Sequence, residues 1–146
     1  MSVRRQPEPR HFERLADAGL RVTSQRLRVL EELAREPHDV TAQELHRRLR
    51  AGGERIGLAT VYRTLGALAE HGIVDTLSHS PAEACYRLCG EGHHHHLVCS
   101  GCHRVVELAE CGLDDWLAAA AAREDFVPTD HHVEIVGLCG TCRRAA

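Results

Sequence analysis

Residues 41–77 read TAQELHRRLRAGGERIGLATVYRTLGALAEHGIVDTL. Two helices and a strand are written into this stretch. Thr41-Ala42-Gln43-Glu44 has the form of a capping box, in which the threonine hydroxyl takes one orphan amide and the glutamate reaches back to the cap residue. Ala42, Leu45 and Leu49 continue as one helical stripe, and Gly52-Gly53 closes it. A further helix is predicted from Leu58 to His71, with Val61, Leu65 and Leu68 inward and Gly72 as its stop. Ile73–Leu77 and Ala84–Leu88 then alternate as short strands, and His79-Ser80-Pro81 predicts the turn of a hairpin between them.

Upstream, Phe12, Leu15 and Ala16 predict a helix over 11–20, and Thr23-Ser24 caps another that carries Leu27, Leu30, Leu33 and Ala34 and ends at Pro37. The first nine residues, MSVRRQPEP, read as a loose arm. Helix, helix, short connection, helix and hairpin is the order of a winged helix-turn-helix, which assigns 1–88 to a DNA-binding domain and lays the Leu58–His71 helix in the major groove. Thr60, Tyr62 and Arg63 lie off its apolar stripe. Arginine suits guanine edges or phosphate, and tyrosine a base methyl or a phosphate. The competing reading of this pattern is a three-helix core with an ordinary solvated face.

Downstream, 89–92 reads as a hinge and 93–146 as a small α/β domain. Strands are predicted at His93–Val98, Arg104–Leu108 and His131–Leu138, and a helix containing Trp116 from Leu113 to Arg123. The fold class is therefore α+β. The whole chain has 146 residues, 43% of them hydrophobic and 27% charged, enough for one compact domain or two small ones. No apolar run approaches the roughly 18 residues of a membrane span and no signal-peptide core is visible, so a cytoplasmic protein with no membrane partner is expected. Aromatics at 3% leave little for stacking single-stranded nucleic acid.

The net charge of −3 hides a division. Residues 1–75 hold 13 Arg against 11 acidic side chains, and residues 76–146 hold 5 Arg against 10. A mildly basic first half and an acidic second half suggest two jobs. The second half also concentrates the metal-binding chemistry. The chain has 12 His and 7 Cys, an odd count, with four cysteines in two C-x-x-C pairs. With no export signal, reduced thiolates on a metal fit better than disulfides. Cys99, Cys102, Cys139 and Cys142 have the spacing of a closed, structural Cys₄ zinc site; the alternative is a redox-active pair.

His93-His94-His95-His96 runs directly into Leu97-Val98-Cys99. On a strand, alternate side chains leave opposite faces, so this run offers His94 and His96 to one metal site and His93 and His95 to another. Cys89 and Asp75 lie toward the first domain as further donors; Asp114, His131 and His132 lie toward the second. A Cys-His-His-Asp set suits tetrahedral Zn²⁺ over Fe²⁺ or Mn²⁺. An ion held by Asp75 of the wing and by His94 and His96 bridges the domains and fixes their angle. Cys85 reads as packing, Cys111 has no assigned role, and His11, His46, His71 and His79 read as surface histidines.

Several stretches together resemble the ferric uptake regulator (Fur) family: Gly19-Leu20-Arg21-Val22-Thr23-Ser24-Gln25-Arg26, Thr41–His46, Gly57–Leu65, His93–Cys99-x-x-Cys102, and Val136-Gly137-Leu138-Cys139-x-x-Cys142. The likeness spans about residues 10–143 and is greatest to the zinc-uptake regulators of actinobacterial type. It implies a homodimeric repressor that binds double-stranded DNA, with the second domain as the dimerisation domain and two to three Zn²⁺ per subunit. It further implies an inter-domain regulatory site of Asp75, Cys89, His94 and His96 and an accessory site of His93, His95, Asp114 and His131. Position 114 departs from the family pattern, which has Glu there. With the resemblance, Arg21 joins Thr60, Tyr62 and Arg63 as an expected DNA contact.

The expectation is thus a zinc-responsive transcriptional repressor that binds palindromic operator DNA when the inter-domain site is filled. The alternative is an iron-, manganese- or peroxide-sensing repressor of the same family. Arg87 stands where iron-type members have Glu, and Asp39 where they have His. A zinc hydrolase is a third reading, but the sequence has no H-E-x-x-H motif and no glutamate placed as general base beside a His pair. Neither an enzyme nor a small-molecule substrate is expected.

Overall fold

The computed structural model of the chain describes residues 8–78, 83–90 and 92–146. These divide between Cys89 and Gly90 into two compact units. In chain order the first contains α1 (Pro9–Asp17), α2 (Ser24–Ala34), β1 (Val40–Thr41), α3 (Ala42–Ala51), α4 (Leu58–Glu70), β2 (Val74–Leu77) and β3 (Cys85–Leu88). Pro9 sits in the first turn of α1, where its missing amide costs nothing, so it belongs to the helix and not to the arm. Glu8 is the N-cap of that helix; residues 1–7 of the expected arm lie outside the described residues, as does the turn expected at 79–81.

Two threonines set the helix starts. Thr23 Oγ1 accepts from Arg26 N at 3.2 Å and Thr41 Oγ1 from Glu44 N at 3.1 Å; such a cap contributes about 1 kcal/mol. The box at Thr41 forms by halves, because the Glu44 carboxylate instead accepts from Arg48 Nη2 at 2.6 Å, one turn along the helix. The phase of α1 also differs from expectation. His11, Leu15 and Ala18 face inward at i, i+4 and i+7, while Phe12 is 53% exposed. His11 is therefore not a surface residue. Burial holds its imidazole below the usual range, against an opposing pull from Glu8. His46 is half-buried and His71 exposed.

Leu15, Leu30, Leu33, Leu45, Leu65 and Leu68 are fully buried in one core shared by the helices. A three-stranded antiparallel sheet of order β1-β3-β2 completes the unit. β1 is only two residues long, too short to show an alternation, and the sequence reading lacks it. Cys85 packs inward on β3 beside Asp39, and burial followed by that carboxylate pushes its thiol up to about 12.

The second unit contains β4 (His95–Cys99), β5 (Val105–Leu108), α5 (Asp114–Ala122), β6 (Glu134–Gly137) and α6 (Gly140–Ala145). Its sheet has the order β5-β4-β6, with β5 antiparallel and β6 parallel to the central β4. The parallel pair needs a crossover, which α5 supplies. Here the core is small. Val98, Cys99 and Val105 are buried with His95 and His96, but α5 contributes no buried residue and Trp116 is 64% exposed. Val106, Leu97 and Ile135 stand opposite one another across the three strands, all exposed, with Val136 and Leu138 beside them. Such an apolar row marks a surface built to be covered. No helix among the described residues is long and apolar enough to cross a membrane.

Candidate metal centres and nucleic-acid interface

Parallel pairing of β4 with β6 sets Cys99 opposite Gly137, so the two C-x-x-C turns leave the same end of the sheet. Ser100 N donates to Gly137 O at 2.8 Å and locks that end. The donor atoms of Cys99, Cys102, Cys139 and Cys142 all lie within 4.8 Å of one another. Cys102 Sγ and Cys139 Sγ are 3.8 Å apart, which is about the 3.8 Å edge of a tetrahedron with Zn–S bonds of about 2.3 Å. The approach is tight enough to favour a glycine. A Cβ on Gly101 would meet Cys142 Sγ at 3.0 Å and Cys142 Cβ at 3.1 Å.

The backbone prepares these sulfurs for a cation. Cys139 N donates to Cys99 Sγ at 3.3 Å. That amide, followed by those of Cys102 and Gly101, lowers the Cys99 thiol to about 6. The Cys142 amide likewise lowers Cys139. Hydrogen bonding to Cys139, Cys102 and Cys99 raises Cys142 to about 12, and a metal bound by all four sulfurs would displace the remaining thiol protons. Amide-stabilised thiolates in a tetrahedral cage fit zinc, and a cage of four protein ligands leaves no open position for catalysis.

The His run divides between the two faces of the sheet. His94 and His96 project to one side, with ring centroids 4.9 Å apart. Glu107 on β5 stands directly opposite His96 and shares that face, with its carboxylate inside the same 4.8 Å donor group. The sequence reading missed Glu107. Its signal was the one charged residue in Val105-Val106-Glu107-Leu108, and the β4–β5 register is what gives it meaning. Asp75 and Cys89 belong to the first unit. Asp75 is half-buried on β2 opposite Arg87. Cys89 is buried after β3; its amide donates to Ile73 O at 3.1 Å and its carbonyl accepts from Arg14 Nη2 at 2.6 Å.

On the other face, His93 Nε2 and His95 Nε2 are 3.2 Å apart. His131, in the segment before β6, closes on them, with its ring 4.5 Å from His93 and 5.1 Å from His95. Burial, followed by the neighbouring imidazoles, lowers His95 and favours its neutral form, the one that binds metal. Asp114 Oδ1 is 3.9 Å from His131 Nε2 on a side chain 73% exposed. A residue to which the sequence reading gave no role lies nearer: Cys111 Sγ is 3.0 Å from His131 Nε2. His132 stacks toward His96 at 5.3 Å between ring centroids.

In the first unit, α4 buries Val61, Thr64, Leu65 and Leu68 and leaves Tyr62 and Arg63 exposed, with Thr60 half-exposed near its N-terminus. Arg63 Nη2 donates to Thr60 Oγ1 at 3.2 Å, which holds the guanidinium along the helix. Arg21 is exposed before α2 and its carbonyl accepts from Arg26 Nη1 at 2.6 Å.

A sequence model of the Ferric uptake regulator family matches residues 17–136. The chain belongs to the ferric uptake regulator family. It is 43% identical over 129 residues to the zinc uptake regulation protein of Mycobacterium tuberculosis strain H37Rv, covering 88% of this chain and 99% of that relative. The ferric uptake regulation protein of Escherichia coli K12 is 38% identical over 133 residues, 88% of this chain and 89% of that relative. Among solved structures, a zinc uptake regulator complexed with zinc and DNA matches with a TM-score of 0.76 and 28% identity, over 93% of this chain and 92% of that one. This member of the ferric uptake regulator family is a metal-responsive transcription regulator and not an enzyme. Its winged-helix unit followed by an α/β unit is the architecture expected from the sequence.

Proposed function

We propose that the protein is a zinc-responsive repressor that binds palindromic operator DNA as a homodimer when a regulatory site of Asp75, Cys89, His94 and His96 is filled. The observation that carries this reading is where the donors fall along the chain. Cys89 is the last residue of the first unit, and His94 and His96 lie near the start of the second, which begins at Gly90. An ion held by both ties the units together and fixes their angle. The higher affinity of metal for the tied state supplies the shift toward DNA binding. A thiolate with two imidazoles selects Zn²⁺ over Fe²⁺ or Mn²⁺, and the 43% identity to a zinc uptake regulation protein supports the same metal. The exposed row Val106–Leu97–Ile135 supports dimerisation, since a second copy covers it. Cys99, Cys102, Cys139 and Cys142 hold the structural zinc. His93, His95 and His131, with Asp114, form an accessory site that tunes the response, for two to three Zn²⁺ per subunit in a cytoplasmic protein.

The test is metal content of the purified protein together with metal-dependent gel shift on a palindromic AT-rich duplex. Zinc is expected to restore binding at a lower free concentration than Fe²⁺ or Mn²⁺. Restoration by iron or manganese alone would assign the protein to the other sensing class.

On the DNA side, α4 is the recognition helix, with Thr60, Tyr62 and Arg63 at the bases or phosphates and Arg21 at the backbone. Arg63→Ala is expected to weaken operator binding by about 1–3 kcal/mol if it reads a base, and Tyr62→Phe by less. If Arg63 touches phosphate only, the loss is equal on random duplex and the salt slope falls by about one unit. Unchanged affinity on both duplexes would remove α4 from the interface.

A further inference from the structure

The geometry points to Cys111, not Asp114, as the anionic ligand of the accessory centre, making it a three-imidazole, one-thiolate site for a thiophilic divalent cation, with Zn²⁺ as its occupant. This deepens the proposal of an accessory site and rests on it. Every residue involved lies in the second unit.

Three elements converge here. β4 supplies His95 and the residues just before it His93, the segment before β6 supplies His131, and the connection from β5 to α5 supplies Cys111. The donor atoms of these four residues all lie within 4.8 Å of one another. Bonds of about 2.0–2.1 Å to nitrogen and 2.3 Å to sulfur give a tetrahedron with edges of about 3.3 Å between nitrogens and 3.6 Å between nitrogen and sulfur. The observed separations are 3.2 Å for His93 and His95, and 3.0 Å for Cys111 and His131. An opening of about 0.1 Å for the first pair and about 0.6 Å for the second would meet both.

Asp114 is placed differently. Its Oδ1 is 4.0 Å from Cys111 Sγ and 3.9 Å from His131 Nε2, on a side chain that is 73% exposed. It stands beside two of the ligands, where a carboxylate adds favourable field and orients His131 without touching the ion. Aspartate is one methylene shorter than glutamate, and it lies in the first turn of α5 just after Cys111. The thiol thus occupies the position that the shorter carboxylate does not reach. The change of donor changes the chemistry. Three neutral imidazoles and a thiolate make a softer site than three imidazoles and a carboxylate, so the centre discriminates more strongly against Mn²⁺ and Fe²⁺.

The test uses the full-length dimer and zinc alone as probe. Alkylation of each cysteine is read by mass spectrometry with and without zinc, alongside counted zinc. Zinc is expected to shield Cys111 in the wild type and in Asp114→Ala, and to fail to shield it in His131→Ala. Cys111→Ser is expected to weaken the accessory ion by more than about a hundredfold and Asp114→Ala by about ten- to a hundredfold, ligand loss exceeding loss of an outer partner. Cobalt(II) substitution in a Cys89→Ala background adds a spectroscopic reading, because the thiolate charge-transfer band of the accessory ion vanishes in Cys111→Ser and persists in Asp114→Ala. If the ion binds, Cys111 is alkylated equally with and without zinc and Asp114→Ala loses the ion, this inference is overturned while the accessory site stands. If no ion binds beyond those of the Cys₄ and regulatory sites, both readings fall together.

Discussion

Cys89→Ala is expected to abolish zinc-activated operator binding while leaving the fold, the dimer and the Cys₄ zinc in place. The contacts that anchor Cys89 in the first unit use its amide and its carbonyl, with Ile73 and Arg14, so truncating the side chain spares them. What is lost is one ligand of the ion proposed to tie the units. Allosteric couplings run to about 1–3 kcal/mol, or 5- to 150-fold in affinity, and the whole of that factor disappears when the coupling ion does. Asp75→Ala has the same expected outcome, since Asp75 lies on β2 within the same unit. Cys89→Ser is nearly as damaging, because a neutral hydroxyl is a poor ligand for Zn²⁺. Asp114→Ala only tunes the response. The measurement is a zinc titration of operator binding for each variant with bound zinc counted in parallel. A wild-type response from Cys89→Ala, with none from Asp114→Ala, would exchange the regulatory and accessory assignments.

The second large effect is on folding. Cys99→Ser or Cys139→Ser is expected to give a protein whose second unit is unfolded, aggregated or monomeric. Structural zinc contributes about 10–16 kcal/mol of apparent binding energy in small zinc peptides, against a total stability of about 5–15 kcal/mol for an ordinary domain. This unit has little else to rely on, with Val98, Cys99 and Val105 as its buried hydrophobic residues. The cage also joins the ends of β4 and β6, so its loss frees the strands that carry the exposed apolar row. Thermal melting, size-exclusion chromatography and zinc content before and after chelation check the outcome. Normal melting and full dimerisation of Cys99→Ser after zinc stripping would remove the structural role.

Periodicity carried the first unit well because its helices are long enough to show a stripe and its caps are strong. Thr41, Gly53 and Gly72 mark boundaries that the structure keeps, the two glycines at φ +87° and +68°. Reading failed where an element is short or where a polar residue turns inward. β1 has two residues, α6 begins inside a C-x-x-C turn, and His11 took the inward place that hydrophobicity gave to Phe12. In the second unit the division of the four histidines into His93/His95 and His94/His96 was legible, although only His95 and His96 lie on β4 and the strand begins two residues later than expected. Their neighbours were not. Glu107 becomes relevant only through the pairing of β4 with β5, and Cys111 only through the path of the chain from β5 into α5. Neither register nor loop path is written in local spacing.

The central strand β4 has donors on both its sides, and it is the middle member of a three-stranded sheet. A shared wall of this kind makes two ions mutually dependent without any contact between them. If the first of the two proposed ions stiffens the wall, the second has less freedom to remove, and by thermodynamic reciprocity the effect of each on the other is the same factor. A favourable factor would steepen the dose–response beyond what either site gives alone, and the five residues of β4 would carry it.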